Sequence, residues 1–269
     1  MGIIVFIFLL TGLASGFVAG LLGVGGGIII VPVTYFILLQ LEFSSEIIMH
    51  VAVASSLGVI CFTSISSIRS HIKLKNTNLT IVKKWAFGIV LGSMLGSLSA
   101  SLISGENLVI IFAILAFLIS MNMLFQQKPI LLNTDLPSSK LINMSISSLI
   151  GFFSSIIGIG GGSFSVPTLT MFSKKIHEAV GTSAVFGLLI AFPGAITFTL
   201  TGLEKEGLPL YSIGYINILI VIIISMTSVL TAGYGARVST NIDKTLLRKI
   251  FAIFLLLTCA SLIIEHFII

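Results

Sequence analysis

Two glycine-rich runs interrupt otherwise apolar stretches: Gly23-Val24-Gly25-Gly26-Gly27-Ile28-Ile29-Ile30-Val31-Pro32 and Gly158-Ile159-Gly160-Gly161-Gly162-Ser163-Phe164-Ser165-Val166-Pro167. So many glycines oppose helix propensity. They let the backbone turn tightly and present its N–H groups. A helix that starts after such a turn adds the partial positive charge of its N-terminus at the same point. The combination makes an anion site without a cationic side chain. Gly23, Gly25, Gly26, Gly27, Gly158, Gly160, Gly161, Gly162 and Ser163 are therefore the first candidates for substrate contact. The bland alternative is close helix packing through small residues. That alternative suits Gly88, Gly92, Gly96 and Ala100, which recur every four residues.

Two hydroxyl pairs, Ser55-Ser56 and Thr182-Ser183, are the second constellation. Hydroxyls donate to an oxyanion, although Ser and Thr in helices also bond back to their own carbonyls. His50 and His177 precede these pairs by the same spacing, five residues to the first hydroxyl. A histidine there would couple transport to protons, or be solvated or capping at a helix end. Cys61 and Cys259 stand far apart in apolar runs and suggest neither a metal site nor a disulfide framework. No HExxH, no intramembrane Asp pair and no Gly-x-Ser-x-Gly elbow occurs, so an intramembrane enzyme is the poorest reading. No metal and no cofactor is expected.

The elements that must position these residues are membrane-spanning. The chain has 269 residues, 56% hydrophobic and 9% charged, against about 25% charged in an ordinary soluble domain. A water-facing surface could hardly be covered, which excludes soluble and disordered classes. The net charge of +5 comes from loop Lys and Arg and reads as topology, with no nucleic-acid partner. Met1-Gly2 leads straight into Ile3 without a basic n-region, so no cleaved signal peptide is expected. Apolar segments lie at 3–22, 27–41, 47–67, 85–103 and 108–125, and again at 141–157, 162–173, 179–202, 214–236 and 246–267. Segments 27–41 and 162–173 are short for a crossing, which needs about 20 residues. Each, with the segment before it, forms either two spans or a glycine-broken hairpin.

The glycine runs, each ending in Val-Pro, and the His-to-hydroxyl stretches match at offsets of 135 and 127 residues, about half the chain. This is an internal repeat: residues 1–126 and 141–269 are two copies of one unit, joined by a linker at 127–140. Residues 68–84 hold Arg69, Lys73, Lys75, Lys83 and Lys84, and their counterpart holds Glu204, Lys205 and Glu206. Between the fourth and fifth segments the bias reverses: the first copy has only Glu106, whereas 237–249 carries Arg237, Lys244, Arg248 and Lys249 beside Asp243. By the positive-inside rule the copies sit upside down relative to each other. Threading the chain so puts thirteen of the fourteen Lys and Arg inside and leaves Lys205 outside. Glu42, Glu46, Glu106, Glu204, Glu206, Glu265 and both termini then fall outside. The expected fold is an all-α polytopic membrane protein, an inverted repeat with five hydrophobic segments per half and about 8–10 crossings.

At Gly23–Pro32, Gly158–Pro167 and Ala179-Val180-Gly181-Thr182-Ser183 the sequence resembles the sulfite exporter TauE/SafE family, also called the toluene sulfonate uptake permease family. Gly214-Tyr215-Ile216-Asn217, Gly235-Ala236-Arg237 and Leu246-Leu247-Arg248-Lys249-Ile250-Phe251 fit as well. Ala54-Ser55-Ser56 departs from the family's frequent Gly-Thr-Ser. The resemblance covers essentially the whole chain. It implies a multi-pass permease of a bacterial inner (cell) membrane for small sulfur-containing anions such as sulfite or organosulfonates. The expected partners are that anion and the lipid bilayer, in a monomer or a homodimer. Alternating access around the two glycine turns is the expected mechanism. An anion channel and a non-transporting membrane subunit are the alternatives.

Overall fold

In a computed structural model, which describes residues 2–125, 135–239 and 244–268, the apolar segments become ten helices. They are α1 (Gly2–Leu22), α2 (Gly27–Gln40), α3 (Ser45–Lys73), α4 (Leu79–Leu102), α5 (Gly105–Phe125), α6 (Lys140–Ile156), α7 (Gly162–Met171), α8 (Ile176–Thr201), α9 (Ile218–Val238) and α10 (Lys244–Ile268). Most of the expected linker, Asp243 and both chain ends lie outside the described residues. Six described helices, α1, α3, α4, α5, α8 and α9, are long and apolar enough to cross a bilayer. The protein is an all-α polytopic membrane protein. One element departs from the sequence reading: residues 214–217 do not begin α9. Strands β1 (Ser212–Ile213) and β2 (Ile216–Asn217) form a two-stranded antiparallel hairpin. Its tip, Gly214, takes a φ of +56° against the backbone of Thr199, a conformation a side chain would resist.

Caps, not hydropathy, set several helix ends, so that α4 starts before its apolar stretch and α9 starts within its own. Asn78 Oδ1 accepts from Ile81 N (3.1 Å) at the start of α4, and Asn217 Oδ1 accepts from Ile220 N (3.0 Å) at the start of α9. α3 runs six residues past its apolar segment, through His71 to Lys73.

Helices of the two halves interleave: α1 packs on α9, α4 on α6, α3 on α8 and α5 on α10. Small residues make the closest approaches. Gly12, Gly16 and Gly20 of α1 rest against the backbone at Ile224, Ser228 and Ala232 of α9. Gly88, Gly92 and Gly96 of α4 lie against Met144 and Ser147, Ser148, and Phe152 of α6, the packing role expected for them. In both pairs the residue numbers rise together, so the partners run parallel. α3 and α9 are parallel too, through Gly58 with Val221 and Thr63 with Ser228. So are α4 and α8, through Asn78 with Thr182 and Ser93 with Ile190. By contrast α3 and α8 are antiparallel, since Gly194 meets Leu57 while Gly187 meets Ser64. Thus α1, α3 and α9 point one way and α4, α6 and α8 the other.

These directions also sort the charges. Exposed Lys73, Lys75, Lys83, Lys84, Lys140 and Arg237 gather where α3 and α9 end and α4 and α6 begin. Glu42, Glu46, Glu106, Glu204 and Glu206 gather at the opposite end, with Lys205 among them. The first is called the basic end below, the second the acidic end. Between them lies one continuous apolar core, in which Trp85 stacks on Phe186 (5.8 Å) and donates to Asn143 Oδ1 (2.9 Å).

Candidate functional site

The two glycine runs form the joints between α1 and α2 and between α6 and α7. In the first, Gly23, Gly25 and Gly26 have φ of +72°, +80° and +80°, a left-handed conformation that side chains resist. Ile29 and Ile30 N–H both reach Gly26 O (3.1 and 3.3 Å), so the N–H groups of Gly27 and Ile28 precede the ladder of α2. In the second, only Gly158 is left-handed (φ +65°), and Phe164 and Ser165 N–H reach Gly161 O (3.3 and 2.8 Å). Gly162 and Ser163 thus occupy the corresponding positions at the start of α7. The second joint is less unwound than the first.

The two joints cross in direct backbone contact. A Cβ on Gly25 would lie 2.7 Å from Gly160 Cα, and one on Gly160 would lie 2.7 Å from Gly25 Cα. Gly27 abuts the Gly158 carbonyl and Gly162 abuts the Gly23 carbonyl, so the runs pass each other head to tail. Gly25 also lies against Ile60, near the midpoint of α3, which places the crossing midway along the bundle. α2 and α7 begin there, with 14 and 10 residues, about 21 and 15 Å long. Since α1 and α3 are parallel, α2 returns toward the end from which α1 came. Each α1–α2 or α6–α7 unit is a hairpin, and the two buried glycine joints cross at mid-bundle.

The hydroxyl pairs divide their work. The second member of each serves a glycine joint: Ser56 Oγ donates to Gly158 O (2.7 Å), and Ser183 Oγ bonds Ser165 Oγ (2.6 Å), which donates to Gly161 O (2.7 Å). The first member accepts from the start of a long helix: Ser55 Oγ from Asn217 N–H and Thr182 Oγ1 from Asn78 N–H, each at 3.0 Å. As site residues Asn78 and Asn217 escaped the sequence reading, which named Asn217 only within a stretch that fits the family. An Asn just before an apolar run was the available signal, that of an N-cap. Ser163 Oγ, at the first turn of α7, is buried without a hydrogen-bond partner.

Contacts around the crossing come in matched sets. Gly23 meets Val180 and Gly158 meets Val53; Gly235 meets Phe17 O and Gly96 meets Phe152 O; Asn217 meets Ser55 and Asn78 meets Thr182. In each set both residues are exchanged for their counterparts in the other half.

The histidines lie elsewhere. His50 is buried near the start of α3 and His177 is on the first turn of antiparallel α8, so they occupy opposite ends of the bundle. His50 Nδ1 faces Glu46 O (3.0 Å) and Nε2 faces Ala100 O and Ile103 O (3.1 Å each), while the ring stacks on Tyr215 (4.8 Å). It closes the carbonyl end of α4. None of the residues that meet at the crossing is ionisable. Polarity there comes from the starts of α2 and α7 and from hydroxyls, which suits an anion.

Comparison with known proteins agrees in kind. The family model described as "Sulfite exporter TauE/SafE" matches residues 8–262. A "Probable membrane transporter protein" of Haemophilus influenzae is 34% identical over 259 residues, covering 96% of this chain and 97% of the relative. The "Probable membrane transporter protein YunE" of Bacillus subtilis is 29% identical, covering 73% of this chain and 78% of its own. "Probable membrane transporter protein MJ0441" of Methanocaldococcus jannaschii is 27% identical, covering 89% and 88%. No solved structure matches. With ten helices among the described residues, arranged around crossed glycine joints, and a family match over almost its whole length, the chain belongs to the sulfite exporter TauE/SafE family of membrane transporters.

Proposed function

We propose that the protein is a secondary transporter of small sulfur-containing anions, such as sulfite or organosulfonates, working by alternating access around the glycine crossing. The observation that carries this reading is the mid-bundle contact of Gly25 with Gly160, where two short helices start. Buried irregular backbone at such depth is tolerated where protein or a water-filled path covers it. Discontinuous helices that aim their N-termini at an anionic group are a recurrent transporter device. Ser163, Ser56 and Ser183 supply hydroxyls beside those starts, and the unpartnered Ser163 Oγ is the donor readiest for an oxyanion.

The same reading treats residues 1–126 and 141–269 as inverted copies. The opposed directions of α1 and α6, α3 and α8, and α4 and α9 support it, as do the exchanged contact sets. Such copies rock about a shared site, closing one side as the other opens. The basic end faces the cytoplasm in this reading, by the positive-inside rule. Since the crossing holds no ionisable side chain, the chemistry is recognition and release, with no bond made or broken in the anion. His50 and His177 are the groups to test for proton coupling.

The experiment is flux of labelled sulfite, sulfate, thiosulfate and a small sulfonate into proteoliposomes, with and without a pH gradient. Saturable flux of one anion supports the carrier. Flux that rises linearly with concentration points to a channel. No flux of any of the four by folded protein overturns the reading.

A further inference from the structure

The seam between α3 and α9 holds polar groups that neither the crossing nor the caps explain. Thr63 Oγ1 and Ser228 Oγ bond each other at 2.8 Å across it. One turn beyond Thr63, toward the basic end, Ser67 is 2% exposed, and one turn before Ser228, toward the crossing, Ser225 is 9% exposed. Neither Ser67 Oγ nor Ser225 Oγ has a hydrogen-bond partner. A buried hydroxyl ordinarily bonds back to its own helix or across to a neighbour, and an unsatisfied one is costly to keep. Two such hydroxyls, each one turn along its own helix from a member of the bonded pair, call for an occupant with hydrogen-bonding capacity.

The seam also has a direction. Val221, one turn before Ser225, lies against Gly58, beside the crossing. Ser67 is followed one turn later by His71, whose Nε2 meets Gly20 O (2.9 Å) close to the basic end. The hydroxyls therefore run from the glycine joints toward the exposed lysines. At the offsets that pair His50 with His177 and Asn78 with Asn217, their counterparts are Ile190, Gly194, Ala86 and Ile89. Those four positions carry no hydroxyl, although the equivalent seam of α4 and α8 holds Ser93, bonded through Oγ to Ile190 O (2.6 Å), so it is the unpartnered hydroxyls that break the repeat.

We infer that Thr63, Ser67, Ser225 and Ser228 line the half-pathway by which a small hydrated oxyanion passes between the basic end and the glycine crossing. The inference rests on the transport reading for its cargo. Lysines at the mouth raise the local anion concentration, and hydroxyls along the seam replace part of its hydration. The Thr63–Ser228 bond and the Ser66 Oγ–Val229 O bond (2.8 Å) close the seam in this conformation, and separation of α9 from α3 opens it.

The test uses cysteine scanning in full-length protein with Cys61 and Cys259 replaced by Ala, in sealed membrane vesicles of both orientations. The probe is 2-sulfonatoethyl methanethiosulfonate, a membrane-impermeant sulfonate that reacts with thiolate, a form that needs a polar, water-accessible site. Lys83→Cys reports which face carries the basic end, and Phe62→Cys, exposed on the outer face of α3, reports the lipid background. Ser67→Cys and Ser225→Cys are expected to react from the basic face at least about tenfold faster than Phe62→Cys, and more slowly in excess sulfate. Reaction no faster than Phe62→Cys, or faster from the acidic face, overturns the pathway. Should these variants fail to insert, Ser67→Ala and Ser225→Ala provide a second reading. A raised KM at unchanged thermal stability supports the pathway, and an unchanged KM overturns it. Modified cysteines without flux of any anion would sink the carrier reading and leave the seam standing. Saturable flux with silent cysteines would do the reverse.

Discussion

A glycine at the crossing answers two demands, and the demands separate by position. Gly25 combines a φ of +80° with backbone contact at Gly160, so Gly25→Ala imposes both strain and a clash. Gly161 has an ordinary φ of −56° and faces no backbone atom closer than 3.5 Å; at 3.0 Å it meets Ile190 Cδ1, a side-chain end that can yield, and Phe186 Cβ, which needs a shift of a few tenths of an ångström. Gly25→Ala is therefore expected to prevent recovery of folded protein. Gly161→Ala is expected to fold, and the bulkier Gly161→Leu to lose flux while still inserting, as checked by gel filtration and proteoliposome assay. Equal behaviour of the two alanine variants would mean that Gly25 and Gly160 are not in backbone contact. Ser56 carries a single neutral hydrogen bond to Gly158 O, so Ser56→Ala should lower stability by about 1 kcal/mol in thermal unfolding. Loss of several times that amount would imply a larger network around Gly158 than the one bond accounts for.

At the scale of the helix, the starts of α4 and α9 are held twice over. The Asn side chain caps its own helix, and its backbone N–H is taken by a hydroxyl of α8 or α3 from the other half. Asn78→Ala and Asn217→Ala should each cost more than the roughly 1 kcal/mol of an N-cap, because Asn78 Nδ2 also donates to Glu178 Oε1 and Asn217 Nδ2 to Leu210 O and Ser212 Oγ. Thr182→Ala and Ser55→Ala leave an N–H without its acceptor and should cost a similar amount, about 1–3 kcal/mol where the donor is fully buried. In a double-mutant cycle, Asn78→Ala with Thr182→Ala should be non-additive, because both act on one helix start. Additive losses would separate the cap from the hydroxyl clamp. Hydropathy located α4 and α9 but not these ends, since a cap is a local hydrogen-bond geometry that apolar content does not register.

For the whole molecule, most of the described charges are divided between the ends of the bundle, Glu178 and Asp135 standing among the bases, and the contact directions of α1, α3, α4, α6, α8 and α9 agree with the division. Reporter groups fused after Lys75 and after Glu206 should therefore report opposite sides of the membrane. A shared side would refute the inverted arrangement and with it the rocking mechanism. Because α1 packs on α9 and α4 on α6, neither half buries its own small-residue faces. Residues 1–126 expressed alone should accordingly fail to give a monodisperse species, and co-expression with 127–269 should restore one.

The sequence by itself determined the membrane class, the segments that become the helices, the doubled glycine joint and the charge asymmetry. Each of these is written in composition, in periodicity or in a repeated string. It also pointed to Gly88, Gly92 and Gly96 as packing residues, because four-residue spacing on one helix is a local pattern. It left open whether α1–α2 spans twice or turns back, and it treated Ser55 and Ser56 as one kind of group. Those questions concern what stands opposite a residue from the other half of the chain: Gly160 against Gly25, Gly158 against Ser56, Asn217 against Ser55. Partners separated by more than a hundred residues are chosen by packing, because a side chain's type limits what it can bond to and only the folded chain brings a particular carbonyl or N–H within 3 Å of it.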